Sequence, residues 1–212
     1  LAEFFIRMLM SNRIESLEQL RALYPSAKER AVRKQLSSLD THCRRFIELS
    51  PFVVMSTVGA DGLADASPRG GAPGFVKVRA DGCLLIPDAS GNNRLDSLQN
   101  IVQTGSLGLL FLVPGVDETL RVNGTASLTT DADRMQPFAG LDQPPRLVIE
   151  LQVIEAYLHC AKALMRSSLW SDAAQLPRSC MPTMGQMLHD QIGGEAAIES
   201  QEAMLARYRS EL

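Results

Sequence analysis

Apolar residues change rhythm along the chain, and each change predicts a different element. Leu17, Leu20 and Leu23 recur at helical spacing. From Ser26 through Leu49, Val32, Leu36, Leu39, Cys43, Phe46 and Ile47 fall on one helical stripe. Ser26 followed by Glu29 predicts a capping box, and Pro51 closes the segment. The texture then turns to β-prone runs. "FVVMSTVGADGLADASP" predicts a hairpin around Ala-Asp-Gly, and "GFVKVRADGCLLIPD" repeats the device. Leu95, Leu98, Ile101 and Val102 predict a helix that Gly105 stops. Three strands follow: "SLGLLFLVPG", "ETLRVNGTASLT" with a break at Asn123-Gly124, and the alternating "RLVIELQVIEAYLHC". "KALMRSSLW" predicts a short helix or turn. Met184 through Glu211 predicts one or two helices broken by Gly193 and Gly194.

Helices, two hairpins, one helix, three strands and terminal helices make a mainly β protein with added helices. Six or seven antiparallel strands with one internal helix suit a small closed or split β-barrel. No βαβ alternation occurs, and no G-x-G-x-x-G follows a strand, so a Rossmann dinucleotide site is not expected. The chain reads as a single domain: a helical N-terminal extension at 1–50, a barrel at 51–160 and a C-terminal helical segment at 161–212.

Composition narrows the function classes. The chain has 212 residues, enough for one domain with a sizeable core. The 21 basic and 24 acidic residues give a net charge of −3, so no duplex nucleic acid partner is expected. Cys43, Cys83, Cys160 and Cys180 form no C-x-x-C pair and, with His42, His159 and His189, no zinc spacing, so no metal is expected. Four reduced thiols fit a cytoplasmic protein. The opening "LAEFFIRMLM" is interrupted by Glu3 and Arg7 and is too short to span a membrane. No signal-peptide cleavage site is evident, and no membrane association is expected.

Three stretches place polar groups beside strand ends. In "ASPRGG" at 66–71, Arg69 lies between a strand and two glycines, where an Arg fork can grip a phosphate or a carbonyl edge. The alternative is a solvent-facing turn arginine. In "IPDASGNNRLDS" at 86–97, Asn92 and Asn93 precede Arg94, which opens a helix. An Arg there opposes the helix dipole, which makes sense if an anion sits at that end. The alternative is that Asn93 caps the helix and Arg94 is merely exposed. In "HCAKALMRSSLW" at 159–170, Lys162, Arg166, Ser167 and the single tryptophan, Trp170, follow the last long strand. That Trp is either a hydrophobic plug or the flank of a planar ring.

Together with "GLLFLVPGVDETLRVNG" at 108–124, these blocks resemble the pyridoxamine 5'-phosphate oxidase-like superfamily of FMN-binding split barrels. They are closer to a subgroup of probable FMN-dependent enzymes. The resemblance implies a split barrel that forms a homodimer with FMN at the subunit interface. It places Asn93 and Arg94, with Asn92 near by, at the phosphate. It places Ser67, Pro68 and Arg69 beside the flavin ring or ribityl chain, and Ile86, Pro87 and Asp88 along the ring edge. Arg121 and Asn123 are further candidates. The Lys162–Trp170 stretch would come from the partner subunit. The sequence departs from the true oxidases: no basic pair follows the phosphate-binding strand, and the C-terminal Arg/His constellation is absent.

Three function classes follow. One is an FMN-dependent oxidoreductase acting on a small molecule by hydride or electron transfer, in which the flavin carries the chemistry. A second is a non-catalytic flavin-binding or flavin-sensing module. A third is a split barrel holding another ligand, such as haem or a deazaflavin. His159 is read as a strand-end residue with a hydrogen-bonded ring, its alternative role being an axial haem ligand.

Overall fold

The computed structural model describes residues 13–88, 91–194 and 197–211. The chain divides into two compact units between residues 35 and 36. Among the described residues, the first holds two short helices, α1 (Leu17–Ala22) and α2 (Glu29–Arg33), neither with a buried residue. Ser16 caps α1 by accepting from the Gln19 amide at 3.2 Å.

The second unit is built on seven strands: β1 (Phe52–Val58), β2 (Ala64–Gly70), β3 (Lys77–Val78), β4 (Leu84–Pro87), β5 (Ser106–Leu112), β6 (Thr119–Thr129) and β7 (Val148–His159). They form one curled antiparallel sheet in the order β2-β1-β5-β6-β7-β4-β3. The sheet is a half-barrel whose edges, β2 and β3, do not pair. Alternation sends Val53, Met55, Leu107, Leu109, Phe111, Leu120 and Val122 into one core. Both hairpin turns work alike. Asp61 and Asp81 accept from the amides two residues on, at 2.9 and 3.0 Å, while Gly62 and Gly82 take left-handed backbone. The predicted break at Asn123-Gly124 is a bulge, where the pairing steps from Asn123↔Glu155 to Gly124↔Val153.

Helices fill the remaining gaps. α3 (Thr41–Leu49) buries Cys43 and Ile47, and α4 (Asp96–Thr104) buries Leu98 and Ile101. The short α5 (Ala132–Met135) and α6 (Lys162–Ser167) precede α7 (Met184–Ile192) and α8 (Gln201–Glu211). Gly193 and Gly194, both at positive φ, lie between the last two, as their spacing predicts.

The continuous helix expected from Ser26 to Leu49 is not formed. Leu36 instead exchanges two backbone hydrogen bonds of 2.9 Å with Ala156 of β7, which takes residues 34–40 out of helical geometry. Ser26 caps nothing: α2 starts at Glu29 behind Lys28, which makes no side-chain cap bond. The working cap is Asp40, which accepts from the Cys43 amide at 2.7 Å. That bond holds the Asp40 carboxyl below its ordinary value. The stability it contributes is therefore present above the unfolded pKa and lost as pH falls through the lower folded one. Asp40→Ala should cost about 1 kcal/mol at neutral pH. In chemical denaturation, that difference from wild type should shrink below about pH 4.

Candidate functional site

The unpaired seam of the half-barrel is a cavity. It encloses about 720 Å³ between edge strand β2, the end of β4 and the start of β7, with the 91–95 loop and the first turn of α4 completing the wall. β2 explains its polarity. Asp65, Ser67 and Arg69 pair in register with Thr57, Met55 and Val53 of β1, whose side chains are buried. The core-facing side of the sheet therefore continues onto β2 as a polar strip, half-buried at each of the three positions.

The opposite wall is fixed by α4. Ser97, 4% exposed, donates to Asp65 Oδ2 at 2.6 Å. Asn100 Nδ2 donates to Thr57 Oγ1 at 3.0 Å, and Thr104 Oγ1 donates to the Val58 carbonyl at 2.9 Å. The loop before α4 is strained: Asn93 and Leu95 take φ of 59° and 61°. Left-handed backbone is costly for leucine. Asn92 Oδ1 accepts from the Arg94 amide at 3.1 Å.

This geometry corrects the expected helix start. Asn93 does not cap α4, and Arg94 does not open it. Leu95 occupies the N-cap position and supplies no side-chain acceptor. The first-turn amides of Asp96, Ser97 and Leu98 thus present the positive end of the helix at the cavity without a side-chain cap. Arg94 Nε donates to Asp96 Oδ2 at 2.8 Å, in a pair with both side chains largely exposed. Such a pair is worth little and exchanges readily for a stronger anion.

Asp88 lies at the end of β4, its amide donating to the Leu147 carbonyl at 3.2 Å. Burial pushes its carboxyl up, while the charges of Arg69 and Arg146 oppose that rise.

Of the residues expected at the site, Ser67, Pro68, Arg69, Pro87, Asp88, Asn92, Asn93 and Arg94 line this one cavity. The Ile86 side chain is fully buried in the core. Arg121 and Asn123 lie on the outer face of the sheet, in register with Leu110 and Gly108. Arg121 donates to the Tyr157 hydroxyl at 2.9 Å, and Asn123 donates to Glu155 Oε1 at 2.5 Å. Lys162 and Arg166 are exposed on α6. Ser167 donates to its own helix at the Leu164 carbonyl, and Trp170 Nε1 donates to the Val116 carbonyl at 3.0 Å. None of these last four lines the cavity.

Sequence reasoning missed Asp65, Ser97 and Arg146. Asp65 was signalled by its two-residue spacing from Ser67 and Arg69. Arg146 carried only a weak signal, a lone cation after Pro144-Pro145 where a strand begins.

The family model for pyridoxamine 5'-phosphate oxidase matches residues 39–160, more than half of the chain. The chain belongs to the pyridoxamine 5'-phosphate oxidase family. The matched segment runs from Leu39, just before the cap of α3, to Cys160, just after β7, and it contains every residue of the cavity wall. A candidate pyridoxamine 5'-phosphate oxidase from Lactobacillus delbrueckii is 22% identical, with 58% of this chain and 98% of that one covered and a TM-score of 0.46. HupZ of Group A Streptococcus is 16% identical over 57% of this chain and 93% of its own, with a TM-score of 0.47. HutZ of Vibrio cholerae, a heme storage protein, is 15% identical over 57% and 94%, with a TM-score of 0.40. No curated protein matches the sequence. Among the described residues, no helix is long and apolar enough to cross a membrane.

Proposed function

We propose that this family member is a cytoplasmic FMN-binding flavoprotein that works as a homodimer and oxidises or reduces a small organic substrate. The observation that carries the reading is the seam cavity, which joins Arg94 and the uncapped start of α4 to the polar strip of β2. Its volume of about 720 Å³ falls within the range of cofactor pockets. From Asp65 to Arg69 the strip runs about 13 Å, which suits an elongated ligand with an anionic end.

In this reading Arg94 and the amides of Asp96–Leu98 hold the phosphate. Ser67, Asn92 and Asn93 offer hydrogen bonds to the ribityl hydroxyls. Pro68, Arg69, Pro87 and Asp88, with the Ile86 backbone, face the ring. FMN supplies the hydride and electron chemistry when bound. The protein's part is to orient the ring and present one face of it.

Charge supports the homodimer. The cavity of one chain carries Arg69, Arg94 and Arg146 against Asp65, Asp88 and Asp96, so a phosphate finds no net positive charge there. Lys162 and Arg166, exposed on α6, are suited to supply it from a partner, together with Ser167 and Trp170. Arg121 and Asn123 also face away from their own cavity, so they reach a flavin only across two chains.

Haem is disfavoured by the donor set. The cavity is lined by no His, Cys, Met or Tyr among the described residues. His159 instead sits at the end of β7, its ring centroid 5.0 Å from that of Tyr157.

The test is the visible spectrum of the purified protein after incubation with FMN and dialysis. A retained flavin spectrum, at two FMN per dimer by gel filtration, is the expected result. A protein that takes up haem but not FMN, or neither, would refute the reading.

A further inference from the structure

The seam cavity contains two different arginine settings. Arg94 is paired to Asp96 and sits beside α4. Arg69 and Arg146 form no ion pair among the described residues, although both act electrostatically on Asp88. Arg69 comes from β2 and Arg146 from the approach to β7, so they reach the cavity from two separate walls. Arg69 is tethered through Nη1, which donates to the Pro68 carbonyl at 2.9 Å and to the Ser67 hydroxyl. That tether fixes the fork and leaves its other N–H donors for a ligand. The carboxylate of Asp88 accepts no hydrogen bond among the described residues and is half-buried, within the field of both charges. Two guanidinium groups and one carboxylate, none in closed contact, form an open cluster with one net positive charge.

We propose that Arg69 and Arg146 clamp the carboxylate of a small organic acid, which is the substrate of this cavity. This inference rests on the flavin reading for its chemistry, but the clamp itself belongs to the chain. A guanidinium fork matches a planar carboxylate in a bidentate arrangement, and two forks from separate chain segments fix its plane. The local charge at the Arg69–Arg146 end suits a monoanion. A carboxylate neutralises the cluster, whereas a dianionic phosphate leaves excess negative charge facing Asp88. Asp88 sets the selectivity by competing for both arginines and repelling a second negative charge. Asp65, Arg94 and Asp96 are the other charged groups of the cavity. They lie at the α4 end, where Asp65 is held by Ser97 and Arg94 by Asp96.

The test uses benzoate, its neutral analogue benzyl alcohol and inorganic phosphate as calorimetric probes, each titrated into the full chain with and without FMN. Benzoate should bind at least about tenfold more tightly than benzyl alcohol, and phosphate, held at the α4 end, should not displace it at equal concentration. Arg146→Ala should weaken benzoate at least about tenfold and leave benzyl alcohol unchanged. Asp88→Asn removes no hydrogen bond of the fold and should tighten benzoate several-fold while narrowing the discrimination against phosphate. Equal binding of benzoate and benzyl alcohol, displacement of benzoate by an equal concentration of phosphate, or an unchanged benzoate affinity in Arg146→Ala would each overturn the clamp. Flavin uptake is scored separately from the spectrum. A protein that discriminates benzoate but takes up no FMN keeps the clamp and refutes the flavin. One that takes up FMN but fails to discriminate benzoate does the reverse.

Discussion

Arg94→Ala should raise the dissociation constant for FMN by about 10- to 100-fold. Hydrogen bonds to a charged group contribute about 1.5–3 kcal/mol, and each 1.4 kcal/mol is a factor of ten. The loss should not be offset from within the same side of the cavity, because the remaining phosphate donors there are the backbone amides at the start of α4. The fold should be untouched: among the described residues, the only partner the side chain gives up is Asp96, in an exposed pair. Flavin fluorescence quenching measures the change, and riboflavin is the control. If Arg94 grips the phosphate, riboflavin affinity should be the same in wild type and variant. An equal loss for riboflavin would place Arg94 on the ring or ribityl chain, and no loss for either would remove it from the site.

The second large effect concerns the scaffold. Gly124→Ala should destabilise the protein by roughly 3 kcal/mol or more, placing it among the severe single substitutions. A Cβ at this bulge would lie 1.9 Å from the Gln152 carbonyl oxygen and 2.9 Å from its carbon. Those are backbone atoms of β7, so no side-chain rotation relieves the clash, and β6 must separate from β7. For a chain of this size, that corresponds to a fall in Tm of roughly 6–12 °C. Gly62→Ala is the comparison. Nothing lies near its Cβ, and only its φ of +79° is unfavourable. It should cost about 1–2 kcal/mol. Equal shifts in thermal denaturation for the two variants would show that the bulge yields more easily than this geometry allows.

The same bulge shows how much was readable beforehand. Asn123-Gly124 interrupts an otherwise regular strand, and a glycine there has a local meaning. The long strands were legible because β-prone runs, apolar in β1 and β5 and alternating in β7, are bounded by Asp-Gly, Pro-Gly or Pro. The helices were less legible at their ends. The stripe from Val32 to Ile47 is a true apolar periodicity, yet Leu36 serves a backbone bridge to β7 rather than a helix. Periodicity records which residues turn inward and not which partner holds the backbone. The start of α4 failed for a related reason. Asn93 is the better cap by residue type, but the loop places Leu95 there at a left-handed φ, a choice no local preference would make.

The sequence by itself determined the strand set, the antiparallel class and a polar stretch on either side of α4, since these follow from periodicity, turn chemistry and local composition. Only the tertiary structure decided that they make one site. Residues 65–69, 87–88, 91–98 and 146–147 meet because β2 and β3 leave the sheet unclosed. Arg146 joins Arg69 across that seam from a position 77 residues later in the chain, a distance at which spacing carries no information. The register of β2 on β1 likewise decided that Arg69 faces the cavity, while the register of β6 on β5 sent Arg121 to the outer face. Register is a property of paired strands, so one strand read alone cannot supply it.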